Sequence, residues 1–179
     1  MSDEKKQVIE KIFRDSNSPN DLFDAFRIAI SNHIEDPDLY KTLLWNKALS
    51  TDEISMFVEK ICKEFPEISF NIYLWAGNVF STSSISGENY SKAFNYFKNA
   101  LDINEKSSEP YLAISGFYNK ELNLPPFEEI IKVLETGLDR VENKSKVCFA
   151  LSDLYKNVGK KEGAQKYRSL GEQFQRKGH

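Results

Sequence analysis

The sequence predicts an all-α protein built from about five antiparallel helix hairpins. Apolar residues recur at steps of three and four through ten successive segments, which is the spacing of a buried helix face. Strict alternation of apolar and polar residues over six or more positions, the pattern of a half-buried strand, is absent. Small and aromatic residues also return at matching positions over residues 67–179, which indicates an internal repeat.

Length and composition are those of a chain that folds around its own core. At 179 residues the chain can bury a full core, and its 40% apolar content is too high for a disordered segment. No run of about 18 apolar residues could cross a membrane, and the N-terminus lacks the apolar stretch of a secretory signal, so we expect a cytoplasmic protein. Cys62 and Cys148 are far apart and lack CxxC spacing, which indicates two buried free thiols rather than a disulfide framework or a zinc site.

The first predicted hairpin comprises residues 2–15 and 21–34. Ser2 is a candidate N-cap for the first of these helices, and a polar break that contains Pro19 separates the two. Each helix carries one apolar stripe directed at a common core. The stripes consist of Val8, Ile9, Ile12 and Phe13, and of Leu22, Phe23, Phe26, Ile30 and Ile34.

The second predicted hairpin is marked by two start signals. Asp36 followed by Pro37 opens a helix that we expect to run to about Leu49. Ser50 and Glu53 then fit a capping box, in which each residue bonds the backbone amide of the other. The apolar stripe of this fourth helix is Ile54, Phe57, Val58, Ile61 and Phe65.

The other six helices are separated by polar or proline-containing breaks. The polar run 81–87 is predicted to be a turn, and Pro125 with Pro126 interrupts the chain before the eighth helix. Gly159 marks the turn of the last hairpin. The predicted helices cover residues 67–80, 90–103, 110–121 and 127–141, and the two halves of residues 145–178.

The last three hairpins match one another position by position. In their first helices the matched residues are Tyr73, Ala76, Gly77 and Phe80; Tyr111, Ile114, Ser115 and Tyr118; and Cys148, Leu151, Ser152 and Tyr155. In their second helices they are Tyr90, Ala93, Phe97 and Ala100; Phe127, Ile130, Leu134 and Gly137; and Lys161, Ala164, Arg168 and Gly171. This pattern resembles the tetratricopeptide repeat (TPR) family, whose 34-residue unit places small and aromatic residues at these positions.

The small residues have a physical role in this pattern. Paired helices approach to about 8–10 Å only where one of them offers Gly, Ala or Ser opposite its neighbour. We expect two such slots in each unit. The first is filled by Gly77, Ser115 and Ser152, and the second by Ala100, Gly137 and Gly171.

The resemblance implies a single helical-repeat domain over residues 1–179. Three repeats are recognisable over residues 67–179, whereas residues 1–66 read as degenerate hairpins, of which residues 40–66 lack the small residues. A divergent helical repeat remains an alternative for that N-terminal part. In this family the stacked pairs form a right-handed superhelix, an α-solenoid, whose concave surface is made mainly by the first helix of each pair.

The resemblance further implies a scaffold that binds a peptide or a helix of another protein in the concave groove. Placed on the repeat, the groove-facing side chains are Trp45, Asn71, Leu74, Trp75, Asn78, Leu112, Asn119, Lys146, Phe149 and Asp153. Several of them are large and apolar and lie outside the small-residue slots, which is typical of anchors for a bound segment. Packing of these side chains against other helices is the alternative.

Two other binding functions are alternatives to peptide binding in the concave groove. From Lys144 onward nine basic residues face three acidic ones, so the C-terminal helix could bind nucleic acid or an acidic partner. The acidic remainder of the chain and the lack of interleaved aromatics disfavour nucleic acid. Self-association of two copies is the third alternative.

The sequence predicts no enzyme, no cofactor and no metal site. His33 and His179 are the only histidines, so neither a catalytic triad nor a histidine metal pair can be assembled. Neither GxGxxG nor a P-loop occurs. We expect His33 to face solvent.

Overall fold

The computed structural model describes residues 3–83 and 86–178, without the side chain of Asp3. Over these residues the chain is all-helical, as predicted, and contains ten α-helices and no strand. Ser2, Ser84 and Ile85, which the sequence assigns to an N-cap and a turn, lie outside the described residues. The helices are α1 (Asp3–Asp15), α2 (Pro19–Ser31), α3 (Pro37–Leu44), α4 (Thr51–Glu64), α5 (Ser69–Thr82), α6 (Gly87–Ile103), α7 (Glu109–Gly116), α8 (Phe127–Gly137), α9 (Lys144–Asn157) and α10 (Lys161–Lys177).

The predicted start signals of α3 and α4 are confirmed. The Asp36 carboxylate accepts hydrogen bonds from the amides of Asp38, at 2.9 Å, and Leu39, at 3.4 Å. At the start of α4 the Ser50 hydroxyl accepts from the Glu53 amide at 3.2 Å, and the Glu53 carboxylate accepts from the Ser50 amide at 2.7 Å. Both bonds of the capping box are therefore present.

Four helices end earlier than predicted: α2 ends at Ser31 rather than at Ile34, and α3, α7 and α8 also end short of the predicted residue. α3 ends at Leu44 rather than Leu49, because the Asn46 side chain accepts from the Ala48 amide at 2.8 Å and donates to the carbonyl of Phe13 at 2.8 Å. These bonds hold the chain in a turn against the end of α1.

α7 ends at Gly116 rather than at residue 121. Asn119 and Leu124 exchange two backbone hydrogen bonds, of 2.8 and 3.1 Å, and close a loop where the helix was expected to continue. α8 likewise ends at Gly137, and not at Val141, where the chain tightens into three-residue turns: the Leu138 amide donates to the Glu135 carbonyl at 3.2 Å, and the Arg140 amide donates to the Gly137 carbonyl at 3.0 Å.

Two residues of the predicted apolar stripes do not face the core. Val8 is 59% exposed and Phe23 is 43% exposed, whereas Ile9, Phe13, Leu22 and Phe26 are buried as predicted. Ala25 and Ala29 complete the buried face of α2, so its stripe is rotated away from Phe23.

The chain divides into two compact units, residues 1–80 and 81–179, and each has its own core. In the first unit α1 packs on α2 and α3, and α3 packs on α4. In the second, α7 packs on α6, α8 and α9, and α9 packs on α10. The boundary between the units lies near the end of α5 and not at residue 66, after which the recognisable repeats were predicted to begin. A single domain over residues 1–179 stays a prediction.

Gly137 and Gly171 occupy the close-approach slots expected of them. A Cβ atom at Gly137 would lie 2.6 Å from Cζ of Tyr111 on α7, and one at Gly171 would lie 2.9 Å from Cε1 of Phe149 on α9. The Ser152 hydroxyl donates to the Ala164 carbonyl of α10 at 2.8 Å. In both hairpins, therefore, the first helix packs directly on the backbone of the second.

Candidate functional site

Two neighbouring helices of the second unit, α7 and α9, form an open depression of about 440 Å³. On α9 the lining residues recur at steps of three and four, so one complete face of this helix is directed at the depression. We call this surface the α7/α9 depression. Its lining residues are Leu112, Ser115, Gly116, Tyr118, Lys146, Phe149, Ala150, Asp153, Leu154 and Asn157.

The apolar floor of the depression is held in place by α10. The ring of Phe149 lies against Gly171, where a Cβ atom would be only 2.9 Å from Phe149 Cε1, and the ring is left half-buried. Gly116, by contrast, faces open space, since a Cβ atom there would meet no other atom within 4 Å. The depression thus combines a fixed aromatic ring with an unfilled position on the opposite helix.

Two polar groups in the wall of the depression already have partners. The Ser115 hydroxyl donates to the Leu112 carbonyl at 2.8 Å, and the Tyr118 hydroxyl donates to Asn123 Oδ1 at 3.1 Å. The two charged lining residues differ from these: Lys146 and Asp153 are exposed, and neither forms an ion pair with any described part of the chain.

A second aromatic surface, in the first unit, is built on α3 and α5. The rings of Trp45 and Trp75 are 5.8 Å apart with an interplanar angle of 50°. Trp75 Nε1 donates to the Lys41 carbonyl at 3.1 Å, so Trp75 is fixed by the end of α3, whereas Trp45 is 52% exposed. We call this surface the tryptophan cleft; it measures about 390 Å³ and is lined by Phe13, Arg14, Lys41, Thr42, Trp45, Asn46 and Trp75.

The predicted groove residues separate into three groups. Leu112, Lys146, Phe149 and Asp153 come together in the α7/α9 depression, and Trp45 and Trp75 come together in the tryptophan cleft. Four predicted residues line neither surface. Of these, Asn71, Leu74 and Asn78 lie on α5 and are at least partly exposed, and Asn119 lies in the loop after α7, where its side chain accepts from the Leu122 amide at 3.0 Å.

Sequence reasoning missed an apolar depression of about 290 Å³ between α2 and α4. Its lining residues are Phe23, Phe26, Arg27, Ile30, Ser31, Met56 and Lys60. The signal was an excess of large apolar residues on α2, more than one helix face can bury. Phe23 and Met56 are each more than 40% exposed at this surface.

Burial disfavours the thiolate form of both cysteines. Burial raises the pKa of the Cys148 thiol to about 11, although Lys144 acts in the opposite direction, and burial also raises the pKa of the half-buried Cys62. Both are free thiols. Cys148 is buried as predicted, whereas Cys62 is only partly so. His33 is exposed, as expected. Among the described residues no cluster of three or more His, Cys, Asp or Glu could hold a metal ion.

The described residues form an all-helical chain with three open, partly aromatic surfaces. No known family model, curated protein or solved structure matches the chain significantly. Among the helices described, none is long and apolar enough to span a membrane.

Proposed function

We propose that the chain is a protein-interaction scaffold that binds a peptide or helical segment of another protein at the α7/α9 depression. The observation that carries this proposal is the presence of four separately predicted groove residues, two of them apolar, in one concave surface. A half-buried aromatic ring beside an unfilled position is the kind of site in which binding energy concentrates.

We also propose that the hairpins belong to a TPR-like α-solenoid. The support comes from equivalent contacts in successive hairpins: Tyr111 packs on Gly137 in one, and Cys148, which matches Tyr111 in the repeat, lies against Gly171 in the next, where a Cβ atom would be 3.2 Å from Cys148 Cβ. The first helices of both hairpins, α7 and α9, lie side by side and line the depression, as they would in a solenoid with a concave inner face. A cytoplasmic location is part of the same proposal and can be checked by fractionation of the source cell.

The test is to fill the depression without disturbing the core. Gly116→Gln places a neutral side chain in the open space at the end of α7, where a Cβ atom meets no neighbour. We expect this variant to lose at least about tenfold in the capture of partners from extracts of the source cell, because the added side chain occupies the volume that a partner needs. The measurement is quantitative pull-down with the tagged full-length chain.

Gly87→Gln is the matched control. Gly87 is also a helical glycine with open space around its Cβ position, but it lies at the start of α6 and does not line the depression. Its partner capture should equal that of the unmodified chain. Equal capture by both variants would show that the depression is not the binding site.

A further inference from the structure

Between Lys146 and Asp153, the side chains that line the α7/α9 depression offer no free hydrogen-bond donor to an extended peptide. The hydroxyl protons of Ser115 and Tyr118 are donated to intramolecular acceptors, and the apolar part of the lining includes Leu112, Phe149 and Ala150. An extended segment lying on these apolar residues would bury backbone carbonyls without donors, at a cost of about 1–3 kcal/mol for each group. A helix satisfies its own backbone and escapes this penalty, so the surface favours a helical occupant.

Two charges of opposite sign flank this apolar floor. Lys146 and Asp153 are seven residues apart on α9, which corresponds to two helical turns and about 10.5 Å along the axis. Phe149 and Ala150 lie between them on the same face. Some exposed charges of the second unit form ion pairs, for example Arg140 with Glu105 at 2.8 Å and Arg168 with Glu172 at 3.4 Å. Lys146 and Asp153 have no such partner among the described residues, and both are exposed at the edge of the depression.

We propose that the occupant of the α7/α9 depression is an amphipathic helix of another protein. This helix carries an acidic and a basic residue seven positions apart, and apolar residues at the third and fourth positions after the first of the two charges. The acidic residue pairs with Lys146 and the basic residue with Asp153. The apolar residues lie on Phe149 and Ala150 and fill the space beside Gly116. This inference rests on the proposed function and specifies the class of partner.

The test uses three synthetic helices with one common apolar face. Each peptide is about 18 residues long, since isolated helices shorter than about 15 residues are marginal in water. The two positions seven apart carry Glu and Lys, Glu and Glu, or Lys and Lys. By fluorescence anisotropy on the full-length chain we expect the Glu/Lys peptide to bind about three- to tenfold more tightly than the other two, because exposed ion pairs contribute about 0.2–1 kcal/mol each and like charges oppose binding.

Charge-reversal variants make the inference specific to the two residues. Asp153→Lys should shift the preference to the Glu/Glu peptide, and Lys146→Glu should shift it to the Lys/Lys peptide. Lys132→Glu, on the exposed side of α8, is the matched control and should leave the order of affinities unchanged. A proline at the centre of the Glu/Lys peptide, which breaks a helix, should abolish its binding.

The outcomes separate this inference from the proposed function. Equal affinity for all three peptides would overturn the charge pattern. Equal binding of the proline-containing peptide, or no binding of any helix, would overturn the helical occupant. In these cases a loss of partner capture in Gly116→Gln would still support the depression as the binding site, whereas unchanged capture would remove the proposed function as well.

Discussion

The buried phenol of Tyr40 illustrates how one hydroxyl can oppose the packing of its own ring. The ring is fully buried and packs near Phe26 and Phe65, with centroids 6.2 and 5.9 Å away. Its hydroxyl, however, has no hydrogen-bond partner among the described residues, and burial raises its pKa. We expect Tyr40→Phe to raise the free energy of unfolding by about 1 kcal/mol, because it removes a desolvated polar group and keeps the ring. Urea unfolding followed by circular dichroism measures the change.

Tyr111→Phe is the matched substitution with the opposite expected sign. The Tyr111 ring is also buried, but its hydroxyl donates to the Glu105 carbonyl at 3.2 Å. Loss of this bond should lower the free energy of unfolding by about 1 kcal/mol. If Tyr40→Phe were destabilising to the same extent, the Tyr40 hydroxyl would have a partner such as a buried water.

At the level of residues, only part of the candidate site could be predicted from the sequence. The repeat register placed Leu112, Lys146, Phe149 and Asp153 on one surface because α7 and α9 are equivalent first helices. It could not show that Trp75 donates its indole N–H to Lys41 and that Trp45 is the more exposed partner, because that depends on where α3 ends.

At the scale of elements, the packing of α8 on α7 depends on the absence of a side chain at Gly137. A methyl group there would lie 2.6 Å from Tyr111 Cζ, so either the ring or one of the helices must shift. We expect Gly137→Ala to lower the free energy of unfolding by about 1–3 kcal/mol, the usual cost of overpacking a core. Thermal unfolding followed at 222 nm provides the measurement.

Gly116→Ala serves as the control for this prediction. It makes the same change at the end of α7, in open space, where the higher helix propensity of Ala should leave stability unchanged or slightly raised. Equal losses in the two variants would indicate that helix ends, and not the contact between α7 and α8, determine the effect.

Local signals predicted where the helices begin better than where they end. The starts of α3 and α4 follow from Asp36 and from the Ser50–Glu53 pair, which act within three residues. The end of α3 depends instead on Asn46, which donates to the Phe13 carbonyl 33 residues away. Contacts at that separation arise only once α1 and α3 have packed, so the pattern around residues 45–49 could not predict them.

At the scale of the whole molecule, the two compact units raise the question of whether residues 81–179 fold alone. This unit has its own fully buried side chains, among them Phe97, Ile114, Ile130 and Leu151, and α9 and α10 pack on each other along their length. About 100 residues are enough for an independent core. In a repeat array, moreover, stability is approximately a sum over units and their nearest neighbours, so part of an array can fold without the rest.

We therefore expect a fragment of residues 81–179 to show helical circular dichroism and a cooperative thermal transition. It should also keep the preference for the Glu/Lys peptide, because every residue that lines the α7/α9 depression lies within it. The full-length chain measured in parallel is the reference. An unfolded fragment would mean that residues 1–80 are needed to complete its core, and would favour the single domain over residues 1–179 that the repeat pattern predicts.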